Sequence, residues 1–302
     1  MSVLLLEQLL NGVQLGVMLF LMAAGLTLVF GVMGLINLAH GSLFMIGAFA
    51  AATVAAASGS FVLAVAASVA AAAAAGAVIE VAVVRRLYAR DHLDQVLATF
   101  ALILIFSEGT RMIFGSFPLY LNVPGWLAGP VALPGGVLYP AYRLALIGVG
   151  IAVAIGLWAL VTCTRLGIRI RAGECDRAMI AALGVDIRRL YTVVFALGAG
   201  LAGLAGALVG TLQSVQVGMG EPVLILAFVT IVIGGIGSIR GAFVGALLVG
   251  LTDTLGGFLL PGAMESLGGT REAGAILASM MIYVLMAVVL LARPMGLFGA
   301  AA

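Results

Sequence analysis

Apolar runs as long as a bilayer's hydrocarbon core is thick follow one another along nearly the whole chain. A helix needs roughly 20 such residues to cross. Runs of this kind cover about residues 9–31, 35–57, 61–84, 96–114, 144–163, 191–212, 222–236, 241–259 and 273–292. The second is interrupted by Asn37, His40, Gly41 and Ser42. The seventh is short and broken at Gly234, Gly235 and Gly237. With 64% hydrophobic and 9% charged residues, the chain has too little polar surface to coat a soluble globule, which carries about 25% charge. The expected fold class is all-α: a polytopic transmembrane helix bundle of 8–9 spans with broken or re-entrant segments, forming one membrane domain over residues 1–302. The first residues have no basic n-region and carry Glu7. The apolar run after them is too long for a signal peptide, so it is expected to remain as the first span.

All 14 basic residues are arginine. Without lysine the chain has no phosphate-binding loop of its own, and no Schiff-base chemistry. Two histidines and the cysteines Cys163 and Cys175 give no metal-site spacing, so no metal, catalytic residue or cofactor is expected in this chain. A net charge of +2 gives no reason to expect a nucleic-acid partner.

Arginine placement orients the bundle. Arg85, Arg86, Arg90, the cluster from Arg165 to Arg189, Arg240 and Arg293 fall on one side. Arg111, Arg143 and Arg271 fall on the other. The first side is expected to be cytoplasmic, with the N-terminus outside and the C-terminus inside. Gly115–Tyr142 then lies outside. It holds Pro118, Pro124, Pro130, Pro134 and Pro140 and no charge, which predicts an ordered loop or a hairpin. Pro261 to Glu272 reads as a second polar loop. Gly198, Gly203, Gly206 and Gly210 give the sixth span small-residue spacings suited to close helix packing in lipid.

Four groups of residues stand out. In Glu174–Leu190, Met179, Leu183, Ile187 and Leu190 fall on one helical stripe joined by Ile180, opposite the charges. Such a helix can dock in a partner's groove, lie on the membrane, or only set topology. Asn37 and His40 share a helical face inside a span, where polar groups are expensive. They either line a pathway or hydrogen-bond between helices, and His40 could also sit at the cytoplasmic boundary. Gly234-Gly235-Ile236-Gly237-Ser238 is a break that could expose backbone N–H groups to an anionic solute, act as a hinge, or mark a tight crossing. Ionisable residues form the fourth group. Glu108 with Arg111, and Glu80 with Arg85, read as ion pairs of topological value, with a substrate carboxylate at Arg111 the less favoured alternative. Asp253 reads as a polar interhelical or water contact. No orienting group joins Ser238 or Ser42 to His40, which argues against an intramembrane protease. The pattern V-x-G-x-x-G-x-I occurs at Val29–Ile36 and at Val232–Ile239. An internal repeat of that kind would suit a transporter built around broken helices.

Met179-Ile180-Ala181-Ala182-Leu183-Gly184-Val185-Asp186, following Arg165-Leu166-Gly167, resembles the coupling loop of ABC-importer permeases. Gly34-Leu35-Ile36-Asn37-Leu38-Ala39-His40-Gly41, Val232–Gly241 and Arg293-Pro294-Met295-Gly296-Leu297-Phe298-Gly299 are similar to further signatures of the branched-chain amino acid permease family, LivH type. The likeness covers about residues 8–299. It implies a permease of an ATP-driven importer in a bacterial inner membrane, for branched-chain or related hydrophobic amino acids. It also implies a second homologous permease, two cytoplasmic ATP-binding subunits that hold ATP and Mg, and an external or periplasmic solute-binding protein. Ala178, Met179, Ile180, Ala181, Ala182, Leu183, Gly184 and Val185 would couple to the ATPases. Asn37, His40, Gly41, Gly234, Gly235, Gly237 and Ser238 would belong to the translocation pathway. One departure is visible: the importer pattern opens Glu-Ala-Ala, where this chain has Ala178-Met179-Ile180, with Asp176 nearby. Urea, a short amide or another small solute is the alternative cargo. An ion-coupled transporter or channel is the alternative of another class.

Overall fold

A computed structural model describes residues 2–88, 90–133 and 136–299. Pro134 and the side chains of Ser2, Glu174, Arg177 and Ala178 lie outside the described part. The helices are α1 (Ser2–Met33), α2 (His40–Ser58), α3 (Phe61–Ala82), α4 (His92–Phe114), α5 (Ala141–Cys163), α6 (Arg165–Cys175), α7 (Arg177–Ala182), α8 (Ile187–Val209), α9 (Gly220–Gly234), α10 (Ile239–Ser266) and α11 (Arg271–Ala292). Among the described residues, eight are long and apolar enough to cross a membrane; α9 is a shorter apolar helix. The polytopic helical bundle is therefore present, with α9 as its broken segment.

Helix ends follow local chemistry. Ser60, Thr164, Asp176, Asp186, Ser238 and Thr270 each accept a hydrogen bond from a backbone N–H in the first turn of the helix they precede. This satisfies donors that the helix itself leaves open. The loop read from Pro261 onward is corrected. α10 continues through Pro261 to Ser266. Proline costs a helix one N–H and a clash, but membrane helices tolerate it where a neighbouring helix packs close. Gly274 of α11 supplies that contact: a Cβ there would lie 2.6 Å from both the Leu260 carbonyl oxygen and Pro261 Cα.

The chain divides into two units, each assembled from separated segments. One comprises Ala24–Val123 and Val153–Ile225. Its centre is α2, α3 and α8, which pack on one another through small residues. A Cβ at Gly206 would collide with the Phe44 carbonyl oxygen, one at Gly47 with the Gly203 backbone, and one at Gly76 with Ala199 Cβ. Ser68 Oγ donates to the Gly203 carbonyl at 2.7 Å. Apolar burial gives little drive between helices in lipid, so such backbone approach supplies the packing. The expected stripe of small residues in α8 is the seam of this unit.

The other unit comprises Met1–Ala23, Pro124–Ala152 and Leu226–Ala302. Gly12 and Gly16 of α1 meet α10 at Leu251 and Ala246. The Phe20 and Phe243 rings meet edge to face at 5.1 Å. Strands β1 (Pro130–Leu133) and β2 (Val137–Pro140) pair antiparallel, Pro130 opposite Pro140, so the proline-rich stretch does contain a hairpin. It is tied to α1: the Tyr139 hydroxyl and Arg143 Nη1 both donate to Asn11 Oδ1, at 3.0 and 2.6 Å.

Candidate functional site

The charged stretch between α5 and α8 is two short helices and not one amphipathic one. Asp176 breaks the chain after α6, and its carboxylate accepts from Met179 N at 2.9 Å to start α7. α7 ends at Gly184. Gly184 N donates to the Ala181 carbonyl at 3.0 Å and Val185 N to Ile180 at 3.2 Å, the paired bonds of a Schellman ending. Gly184 takes φ +84°, a conformation that disfavours a side chain. Asp186 then caps α8 through Arg189 N. The expected stripe is accordingly divided. Ile180 and Leu190 are buried, and both lie near Gly173 of α6. Met179 and Leu183 point away, 59% and 76% exposed. Ala181, Ala182 and Gly184 are exposed with them, and Val185 is half-buried. Residues 179–185 thus present a small apolar apex held by an inner anchor.

The second group sits at the α1–α2 break. Gly34, at φ +65°, closes α1 by donating to Phe30 at 2.7 Å, and α2 starts at His40, five residues into the run at 35–57, so Asn37 lies before the helix and not on its face. Asn37 and His40 are fully buried. The Asn37 amide has no hydrogen-bond partner among the described residues. His40 Nε2 occupies space beside Gly25, where a Cβ would lie 2.9 Å from it. Gly41 meets the backbone of Gly220.

The third group lies in the other unit. Gly234 ends α9, Gly235 and Gly237 take φ +103° and +83°, and Ser238 Oγ caps α10 by accepting from Gly241 N at 3.0 Å. Gly237 occupies the same place in its V-x-G-x-x-G-x-I pattern as Gly34, and both are left-handed, but α9 is closed earlier, by Gly235 donating to Ile231 at 2.8 Å, so the two copies do not end their helices at the same place. The tail completes this break. Leu297 N donates to the Ile233 carbonyl and Phe298 N to Gly234, each at 2.9 Å. These are carbonyls that the end of α9 leaves open. Sequence reasoning noted the tail only as a likeness; Gly296, packed against Gly235, was its local signal.

Glu108 and Arg111 form an exposed ion pair at 2.7 Å, as expected from their i, i+3 spacing. Glu80 proves to be more than half of such a pair. Its buried carboxylate accepts from Arg85, Tyr88 and Thr192. Burial, and after it the Glu80 charge, pushes the Tyr88 phenol above its ordinary range.

Several membrane-length helices, one short apolar helix and two glycine-closed breaks define the class: a multi-pass integral membrane protein of transporter type. Residues 8–290 match the family described as branched-chain amino acid transport system, permease component. The chain belongs to that family. It is 31% identical to the high-affinity branched-chain amino acid transport system permease protein BraD of Pseudomonas aeruginosa, over 97% of this chain and 95% of the relative. It is 28% identical to LivH of Escherichia coli K12, over 83% and 85%. A ribose import permease protein, RbsC of the same strain, is 30% identical over 77% and 72%. No solved structure matches the chain.

Proposed function

We propose that residues 1–302 form a single permease domain of an ABC importer for branched-chain or related hydrophobic amino acids. The observation that carries this reading is the exposed apex at 179–185, joined directly to α8, in a chain whose relatives are branched-chain amino acid permeases. ATP and Mg would be bound by two separate cytoplasmic subunits that dock on residues 178–185. A second permease, identical or homologous, would complete the membrane part, and an external binding protein would deliver solute. Closure of the ATPases would press on the apex and shift the bundle between two openings, a two-state element biased from both ends. Asn37, His40, Gly41, Gly234, Gly235, Gly237 and Ser238 would contribute to the pathway. A buried amide without a protein partner supports that role for Asn37, since such a group is costly unless something else engages it. The likeness to a ribose permease favours a second reading of the cargo alone, as another small polar solute.

Gentle affinity purification of the tagged chain from its native membrane tests the assembly. Two ATP-binding proteins and a hydrophobic permease should come with it. A chain that elutes alone would favour an ion-coupled transporter or channel.

We further propose a bacterial inner-membrane location, with the N-terminus outside and the C-terminus cytoplasmic. Asn122 is exposed, in the proline-rich stretch that follows α4. A cysteine placed there should react with an impermeant maleimide added from outside. Labelling only from the cytoplasmic face would reverse the orientation.

A further inference from the structure

We infer that Glu80, Arg85, Tyr88 and Thr192 form a latch that carries movement of the 178–185 segment into the packed pair α3–α8. Glu80 is its positioning residue. The inference rests on the coupling role proposed above.

A carboxylate near the end of an apolar helix is expected to reach for water. Glu80 does not, being fully buried. Its Oε1 accepts from Arg85 Nε at 3.2 Å and from the Tyr88 hydroxyl at 3.1 Å. Its Oε2 accepts from Arg85 Nη2 at 2.8 Å and from Thr192 Oγ1 at 2.7 Å. Arg85 Nη2 also donates to Thr192 Oγ1 at 2.8 Å. Three of these groups belong to α3 and the turn that follows it; Thr192 belongs to α8. The Tyr88 ring packs edge-on against Tyr191 at 5.0 Å, so two consecutive α8 residues are held.

Position gives this network its role. α8 begins at Ile187, immediately after the apex and its cap Asp186. Thr192 lies within about two turns of that start, so α8 meets the latch before its seam with α3 at Ala199 and Gly203. A push on α7 enters α8 at its first turn and reaches the Glu80 network next. With the network closed, α8 cannot tilt or slide at this end without moving α3. With it open, the two are joined only farther along α8, at Phe195, Ala199, Gly200 and Gly203. A cavity of about 310 Å³ lined by Arg85, Tyr88, Ile187, Arg188 and Tyr191 borders the network. It gives the rim side chains room to rearrange, while Glu80 stays enclosed.

Thr192→Val keeps the shape of the side chain and removes the hydroxyl; Thr192→Ser keeps the hydroxyl. Both are measured in the assembled transporter reconstituted in proteoliposomes, as solute imported per ATP hydrolysed. Thr192→Val is expected to hydrolyse ATP at close to the unsubstituted rate and to lose about tenfold in import per ATP. Thr192→Ser should restore the ratio. An unchanged ratio in Thr192→Val overturns the latch. So does a proportional fall of both activities, which is what a merely stabilising staple would give. Should Thr192→Val fail to assemble, Tyr88→Phe removes one donor at the rim, and the same two outcomes decide. Leu183→Asp in the same preparation separates the two claims. Import lost there but intact in Thr192→Val removes the latch alone. Normal import by Leu183→Asp removes the coupling role and the latch with it.

Discussion

Gly206→Val should leave little folded protein in the membrane. Gly206 faces the Phe44 carbonyl oxygen so closely that even one added carbon has no place. The obstacle is backbone, which cannot rotate aside as a side chain would. α8 must move off α2, and the neighbouring contacts, Gly203 on Ser68 and Gly47 on Gly203, open together. Overpacking of this kind costs about 3 kcal/mol, the upper end of the usual range. In lipid no hydrophobic gain offsets it, since exposed helix faces are already in apolar surroundings. The check is thermal aggregation of the detergent-solubilised protein, with Gly156→Ala as control. Gly156 of α5 has open space around it, and alanine is favoured over glycine in a helix by about 1 kcal/mol. Equal melting of Gly206→Val and the unsubstituted chain would contradict the close seam.

Leu183→Asp has the second largest expected effect, on activity and not on folding. Leu183 is 76% exposed, so a charge there disturbs no packing within the chain. α7 keeps its cap at Asp176 and its ending at Gly184. At an interface the same change places a charge in a pocket meant for an apolar side chain, and anchors of this kind contribute at least about 2 kcal/mol. That corresponds to roughly 30-fold in affinity for the ATPase. Uptake by membrane vesicles should fall to background while the chain inserts normally and ATP hydrolysis no longer follows solute. Gly184→Asp should give the same loss with added local strain, because its backbone sits at φ +84°. Full uptake by both variants would end the coupling assignment.

The spans were legible because crossing a bilayer demands a length and composition that few other structures need. Helix starts were less legible: the span read from 191 opens at Ile187 because Asp186 caps it, and Ser60 and Thr270 act as caps in the same way, roles that apolar run lengths do not show. Periodicity misled at Glu174–Leu190. A stripe at helical spacing says nothing of whether Asp176 will cap a new helix or Gly184 will end one, and both do. Pro261 misled in the opposite sense, because α10 runs through it with Gly274 of α11 packed against Leu260 and Pro261. The Glu80 network was out of reach: it needs Thr192 from a distant helix, and a local reading saw only Glu80 near Arg85. The exposure of Met179 and Leu183 against the burial of Ile180 was likewise set by how α6, α7 and α8 fold back on one another.

The tail that closes the α9–α10 break has a consequence for biosynthesis. Ile233 and Gly234 leave the ribosome long before Leu297 and Phe298, with two complete helices made in between. Until then the end of α9 lacks the donors that finally engage its carbonyls. The break can enter the membrane early but can reach its final form only after α10 and α11 have been threaded. Units of a chain commonly fold in the order they are made. Here the middle waits for the end, and a nascent chain halted after α10 would carry an unfinished helix terminus.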